Sequence, residues 1–182
     1  MKIFRSRGMA AVVTIAAVVL SILLGGRHSL KELASEVDAA FYFGVEKDGY
    51  SIASDLEKRG NAAYNLAGIA LRYYGEEQPE IQAVEQARDA LAQADSVKEM
   101  AAANRLLEEA VPLLHGLLKE TALSANDAKY PDRLYDEFRS RGRTIARDGY
   151  NRLAADYTRQ LERFPANLLA GLTGVRPAEL FE

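Results

Sequence analysis

The residues of this sequence that could carry out acid–base or metal chemistry are few and scattered. The two histidines, His28 and His115, are far apart, and there is no H-E-x-x-H pair. Cysteine is absent, which excludes a thiol nucleophile and a Cys-based zinc site. His115 lies among leucines, where it is either a pH-sensitive group or ligand, or an ordinary half-buried helix residue. We favour the second interpretation and expect no enzyme activity, no metal and no cofactor.

Two carboxylate pairs, Glu76-Glu77 and Glu108-Glu109, also fail to suggest a site. Adjacent residues of a helix point about 100° apart, so their side chains do not converge on one atom. We therefore expect both pairs to lie on solvated faces.

Asp38 is the acidic residue best placed for a structural ion pair. It follows Val37 in a predicted helix, and its candidate partners are Arg59 and Arg143 on later helices. A buried acid–arginine pair is costly unless it is well hydrogen-bonded, but it can fix the register between helices. We expect a structural role for this pair rather than a catalytic one.

The composition narrows the class of protein. The formal net charge is -3, from 23 Lys and Arg against 26 Asp and Glu. A nucleic-acid-binding protein needs a basic excess on one face, so we expect no nucleic-acid partner. Helix-forming residues dominate, and the length suits a single folded domain.

The first part of the chain resembles a membrane anchor. Residues 8–26 carry no charge between Arg7 and Arg27. As a helix they extend about 28 Å, close to the ~30 Å hydrocarbon core of a bilayer. We predict a short basic tail at residues 1–8 and an uncleaved transmembrane helix at residues 9–26. The alternative, a cleaved signal peptide, needs an A-x-A-like site that residues 21–27 lack.

Charges on either side of this span predict its orientation. Lys2, Arg5 and Arg7 precede it, and Arg27 and Lys31 follow it. Positive residues favour the cytoplasmic side of a membrane. We therefore expect a single-pass protein of the bacterial inner membrane, with most of the chain on the periplasmic side.

In the rest of the chain, apolar residues recur every three or four positions, which is the helical period. The predicted helices cover residues 30–44, 52–73, 81–94, 100–118 and 132–163. Ser29 with Glu32 predicts a capping box, Asp48-Gly49 and Asp95-Ser96 predict breaks, and Pro112 predicts a kink.

Long helices joined by short turns predict an all-α fold. We expect an antiparallel up-down helical bundle of four long helices plus a short C-terminal helix, on an N-terminal transmembrane helix. Residues 27–182 would form this bundle domain, including an apolar C-terminal tail.

That tail, residues 164–182, carries no charged side chain from Phe164 to Val175. Pro165 suits the first turn of a short helix, and Gly171 or Gly174 would end it. We expect the tail to fold back on the bundle; docking to a partner or second copy, and lying on the membrane, are the alternatives. The large apolar residues concerned are Phe164, Leu168, Leu169, Leu172, Val175, Leu180 and Phe181.

Several stretches together resemble the LemA family. The most specific is the final one, DEFRSRGRTIARDGYNRLAADYTRQLERFPANLLAGLTGVRPAELFE. Upstream, LEKRGNAAYNLAGIALRY, VDAAF and AVEQARDA also resemble family segments. The chain departs from the pattern at Phe41, where the family has Trp, and at Arg141-Gly142, where it has Glu-Asn. Asn65 and Asn151 match family positions, and we expect them to form hydrogen bonds between helices.

The resemblance implies a membrane-anchored helical bundle of the bacterial envelope with no agreed activity. We therefore predict a non-enzymatic scaffold or adaptor, whose partner is an unknown envelope protein or a second copy of the chain. The alternative is a ligand- or metal-binding bundle at the membrane. That function would require converging carboxylates or histidines, and no Glu-x-x-His occurs to supply them.

Overall fold

The structure is a computed structural model that describes residues 7–46 and 49–182. No described residue lies in a strand, so the predicted all-α class is confirmed. Three residues used for the predictions lie outside the described residues. They are Lys2 and Arg5, which supported the predicted orientation, and Asp48, which supported a predicted turn. The helices are α1 (Arg7–Phe43), α2 (Ile52–Ala70), α3 (Pro79–Gln93), α4 (Val97–Glu120), α5 (Pro131–Ile145), α6 (Tyr150–Glu162) and α7 (Ala166–Thr173), with a 3-10 turn Asp127–Lys129 before α5.

Helix α1 runs without interruption for 37 residues, so the predicted capping box at Ser29 is wrong. Gly25 and Gly26 do not end the helix, because a helical glycine costs only about 1 kcal/mol relative to alanine. The helix ends before Gly44, whose φ of 88° suits glycine and whose amide donates to the carbonyl of Ala40 at 3.0 Å.

The first part of α1 is apolar enough to cross a membrane. The helix Gly8–Phe43 contains a segment with a mean hydropathy of 2.4, and none of that segment is buried. Ile15, for example, is 63% exposed. A side-chain surface of this kind suits lipid rather than water.

The chain divides into two compact units. One consists of Ala39–Leu153 with Glu179–Glu182, and we call it the bundle unit. The other consists of the described part of Met1–Asp38 with Ala154–Ala178, and we call it the stem unit. The boundaries predicted at residues 8 and 26 separate the membrane span from the rest of the chain rather than one compact unit from another. They stay predictions.

Helices α2 to α5 form the core of the bundle unit. Helix α2 packs against α3, α4 and α5, and α3 packs along α4. Short connections join consecutive helices, as expected for an up-down bundle. Helix α4 continues through Pro112 for 24 residues, so its predicted kink stays a prediction. The buried cluster consists of Ala62, Ala63, Leu66, Ala67, Ile69, Ala70, Ile81, Val84, Ala87, Leu107, Ala110, Val111, Leu114, Leu118 and Phe138.

Serine caps set the start of two of these helices. Oγ of Ser51 accepts from the amide of Ser54 at 3.2 Å, and Oγ of Ser96 accepts from the amide of Glu99 at 3.2 Å. The Glu99 carboxylate in turn accepts from the amide of Asp95 at 2.8 Å. These bonds satisfy amides that a helix start otherwise leaves free, and they confirm the predicted break at Asp95-Ser96.

The long helix predicted over residues 132–163 is interrupted in the structure. Helix α5 ends at Ile145 and α6 begins at Tyr150. The amides of Arg147 and Asp148 bond to carbonyls three residues earlier, which tightens the last turn of α5. Oδ1 of Asp148 then accepts from the amide of Tyr150 at 2.7 Å. An aspartate that bonds the backbone two residues later favours a turn over a continuing helix.

Candidate functional site

Arg59 occupies the most constrained polar position in the bundle unit. It lies on α2, is 2% exposed, and donates through Nη1 to Oε1 of Glu108 on α4 at 3.0 Å. Its guanidinium carbon lies 4.1 Å from the centroid of the Phe138 ring on α5. A Cβ at Gly142 would lie 3.1 Å from Nη1, so this glycine leaves room for the guanidinium. One side chain thus contacts three helices.

The charges around Arg59 partly compensate its burial. Burial lowers the pKa of the guanidinium, whereas the hydrogen bond and charge of Glu108 and the charge of Asp55 raise it. Asp55 is itself 3% exposed and accepts from Nη1 of Arg141 at 3.3 Å. Arginine stays protonated under these conditions, so the group acts as a fixed positive charge that ties α2 to α4 and α5.

Arg59 pairs with Glu108, so the expectation that this carboxylate is only solvated is wrong. Asp38 and Arg59 belong to different units, and the pairing of Asp38 with Arg59 or Arg143 stays a prediction. Asp38 and Arg143 are exposed in their own units rather than buried. Glu108 was overlooked because half of its side chain, 52%, is exposed and only its carboxylate end reaches the arginine.

An open groove of about 370 Å³ lies over this arginine. Arg139 and Arg143 line it together with Arg59 and Glu108, so its polar lining carries more positive than negative charge. Nε of Arg59 has no hydrogen-bond partner among the described residues. The groove is the feature of the bundle unit closest to a ligand site, but its deepest charge is already satisfied by Glu108.

The two predicted asparagines differ in role. Asn65 is exposed on α2, because the buried face of that helix passes through its neighbour Leu66. Asn104 on α4 is the buried asparagine, 6% exposed, and the sequence analysis missed it. Its spacing from Leu107 and Val111 places it on the core face of α4, and this spacing was the available signal.

Asn151 fastens the last residues of the chain to the bundle unit. Its Nδ2 donates to the carbonyl of Phe181 at 2.8 Å, and its Oδ1 accepts from the amide of Phe181 at 2.8 Å. The Phe181 ring lies 6.1 Å from that of Phe41, which also packs edge-on against Tyr150. The hydroxyl of Tyr150 donates to the carbonyl of Glu179 at 2.8 Å. Asn151 is therefore a hydrogen-bonding residue as predicted, but it binds an extended segment rather than another helix.

Three large apolar residues of the tail are exposed, although we expected the tail to be buried. Phe164, Leu168 and Leu172 are 78%, 58% and 73% exposed, and Pro165 is exposed as well. The end of the tail, at Glu179 and Phe181, does fold back on the bundle unit. The predicted end of the helix is confirmed at Gly174, which has a φ of 70° and donates its amide to the carbonyl of Ala170 at 2.9 Å.

Other residues of the stem unit are well packed. Tyr157 is 4% exposed, and its hydroxyl donates to the carbonyl of Arg176 at 3.4 Å. Burial and, to a lesser degree, the charge of Asp38 raise the pKa of the Tyr157 phenol. Leu161 and Val37 are buried as well, so exposure of apolar groups beyond the apolar first part of α1 is concentrated on α7 and the turn before it.

His115 of the bundle unit is held by contacts with two other side chains. His115 is buried, bonds to Oδ1 of Asp132 at 2.8 Å and stacks on the Tyr135 ring at 4.1 Å. Among residues 7–46 and 49–182, no group of three or more His, Cys, Asp or Glu side chains converges on a point that could hold a metal ion.

Comparison with known proteins gives one match. No curated protein and no solved structure matches the chain. The model of the LemA family matches residues 50–182, which include the Arg59 network, the Asn151 contact and all of α7. Because that match covers well over half of the sequence, the chain belongs to the LemA family.

Proposed function

We propose that this protein is a non-enzymatic scaffold or adaptor of the bacterial cell envelope, anchored in the inner membrane by α1. The bundle unit would work by protein contact on the periplasmic side. The anchor proposal rests on the first part of α1, which is apolar, exposed and long enough to cross a bilayer.

The observation that carries the contact function is an apolar surface at the junction of α1 and α2. Tyr42, Phe43 and Val45 are 51%, 63% and 43% exposed, and Tyr50 beyond the junction is 68% exposed. We call these residues the junction surface. Isolated apolar residues are ordinary on a protein surface, but several exposed within a short stretch of chain favour a binding site. Aromatic residues in particular are enriched in the energetically important parts of protein interfaces.

The interior of the bundle unit supports contact rather than chemistry as its role. Its core is a close-packed set of alanine, leucine, isoleucine and valine side chains. Its buried charges, Arg59 and Asp55, pair with Glu108 and Arg141. Charges paired between helices in this way can fix the register of helix packing, which is a structural role.

Crosslinking in intact membranes tests the contact function. A photo-reactive phenylalanine analogue at Phe43 would be compared with the same analogue at Gln86, an exposed residue of α3. We expect one specific product from the first position, identified by mass spectrometry as an envelope protein or a second copy. The product should disappear when Tyr42 and Val45 are changed to serine. Equal product patterns at both positions would contradict the proposal.

The orientation is tested separately. The chain has no cysteine, so Gln86→Cys introduces a single thiol. On intact spheroplasts, a membrane-impermeant maleimide should label it if the bundle is periplasmic. Labelling that requires prior lysis would place the bundle in the cytoplasm.

A further inference from the structure

Helix α7 lies directly against α1 within the stem unit. The position that a Cβ would take on Gly26 is only 2.6 Å from Cδ1 of Leu169, so the Leu169 side chain packs directly on this glycine. A larger side chain at position 26 would force the end of the Leu169 side chain to move. The contact shows where along α1 the short helix lies.

That position is the end of the membrane-spanning segment. Gly26 is the last residue of the charge-free run, and Arg27 follows it immediately. A charged residue at the end of an apolar helix marks the level at which the helix leaves the hydrocarbon core. Helix α7 therefore lies at the height of the lipid headgroups.

The face of α7 turned away from α1 is apolar. Leu168 and Leu172 lie four residues apart on α7 and are mostly exposed, as is Phe164 in the turn before the helix, whereas Leu169 points towards α1. No charged side chain occurs between Arg163 and Arg176. Both arginines are exposed, and long basic side chains at the ends of an apolar segment can extend into the headgroup region.

We propose that α7 is a second membrane contact, an interfacial helix that inserts Phe164, Leu168 and Leu172 into the leaflet from which α1 emerges. This inference rests on the anchoring role of α1. Free amphipathic helices usually need a basic face to reach a membrane, and α7 has none. Because α1 already holds α7 at the bilayer, insertion is intramolecular and does not require that electrostatic attraction.

Lipid-depth fluorescence tests the proposal, because the natural chain contains no tryptophan. The full-length Leu168→Trp protein would be reconstituted in phosphatidylcholine–phosphatidylglycerol vesicles. Quenching would be compared between lipids brominated near the headgroup and lipids brominated near the chain ends. We expect blue-shifted emission and a loss of fluorescence that is larger with the shallow quencher. Phe164→Trp provides an independent second probe if Leu168→Trp does not fold.

Two control variants separate the possible failures. Leu113→Trp, at a 63% exposed leucine of α4, should show water-like emission and no quenching. Val18→Trp, inside the span, should be quenched most by the deep bromine. Quenching at Val18 without quenching at Leu168 and Phe164 would overturn the α7 proposal and leave the anchor intact. Blue-shifted but unquenched emission at Leu168 would overturn it in favour of a protein covering α7. Absence of quenching at Val18 would contradict the anchor itself.

Discussion

The core of the bundle unit and helix α7 use the same kinds of side chain for opposite purposes. Leu66, Leu107 and Leu114 are completely buried, while Leu168 and Leu172 are 58% and 73% exposed. In the bundle, each leucine faces other helices across an apolar core, so its burial stabilises the fold. On α7, Leu169 packs against Gly26 of α1, whereas Leu168 and Leu172 are left for another phase or molecule.

The aromatic and amide residues show the same contrast. Phe181 packs near Phe41 in the bundle unit, whereas Phe164 is 78% exposed. Asn151 makes two bonds to one backbone segment, whereas Asn65 faces solvent. Residue type alone therefore does not say which apolar and polar groups hold the fold together. Matched substitutions in the two regions measure how much the same residue type contributes to the free energy of unfolding at a buried and at an exposed position.

The largest expected effect comes from a pair of leucines. Leu114→Ala should lower the free energy of unfolding by about 2–5 kcal/mol, because it leaves a cavity in a closely packed core. Leu168→Ala should change it by no more than about 0.5 kcal/mol, as for other exposed positions. Urea unfolding of the full chain in detergent, followed by far-UV circular dichroism, measures both. Similar losses for the two variants would mean that α7 packs as tightly as the core.

A second comparison uses two neighbouring glutamates of α4. Glu108→Ala should destabilise the protein by about 1–3 kcal/mol, because it leaves the buried Arg59 charge without its main partner. Glu109→Ala removes an exposed carboxylate with no such partner role and should have little effect. Equal effects in the same unfolding experiment would show that the ion pair contributes nothing to stability.

The two asparagines give a contrast of similar size. Asn151→Ala should cost about 1–3 kcal/mol, since it removes two hydrogen bonds and leaves the amide and carbonyl of Phe181 unpaired. The exposed Asn65→Ala should be nearly neutral. Hydrogen exchange adds a local readout: the amide of Phe181 should exchange faster only in Asn151→Ala. An unchanged exchange rate of the Phe181 amide would contradict the role of Asn151 in holding this segment.

The smallest effect concerns acid stability at Asp127. Hydrogen bonds from Arg72 and Tyr73 lower the pKa of this carboxyl below its usual range. Its contribution is therefore present above the ordinary pKa of about 4 and is lost as the pH falls through the lower, folded-state value. Asp127→Asn should lower stability at neutral pH and flatten the decline below about pH 4. As a control, Asp89→Asn at an exposed position should leave the pH dependence of stability unchanged. If Asp127→Asn also leaves it unchanged, the lowered pKa of Asp127 does not contribute to acid stability.

Much of the helical architecture follows from local signals in the sequence. Apolar spacing located the helices, and Asp95-Ser96 and Gly174 marked breaks that the structure confirms. These signals succeed because helical periodicity and capping depend on residues only a few positions apart. The interruption at Asp148 was missed because the helical spacing of four continues through it from Ile145 to Gly149 and Leu153. Only the hydrogen bond from the Tyr150 amide to the Asp148 side chain reveals the break.

The site residues were harder to predict, because their roles depend on contacts distant in sequence. Nothing near Arg59 indicates that Glu108 would reach it from another helix. Likewise, the apolar character of the tail led us to expect that Phe164 and Leu168 would fold back on the bundle, whereas both are exposed. The approach of Leu169 to Gly26, on which the membrane-contact proposal rests, is not encoded in sequence spacing.

Membrane fractionation of the natural full-length product tests the central claim, that α1 anchors the bundle in a bilayer. After alkaline carbonate washing, the protein should stay in the membrane pellet, with its N-terminal segment intact by mass spectrometry. Deleting residues 1–26 should release it into the soluble fraction. Recovery of the intact natural chain in the aqueous fraction without detergent would contradict the claim.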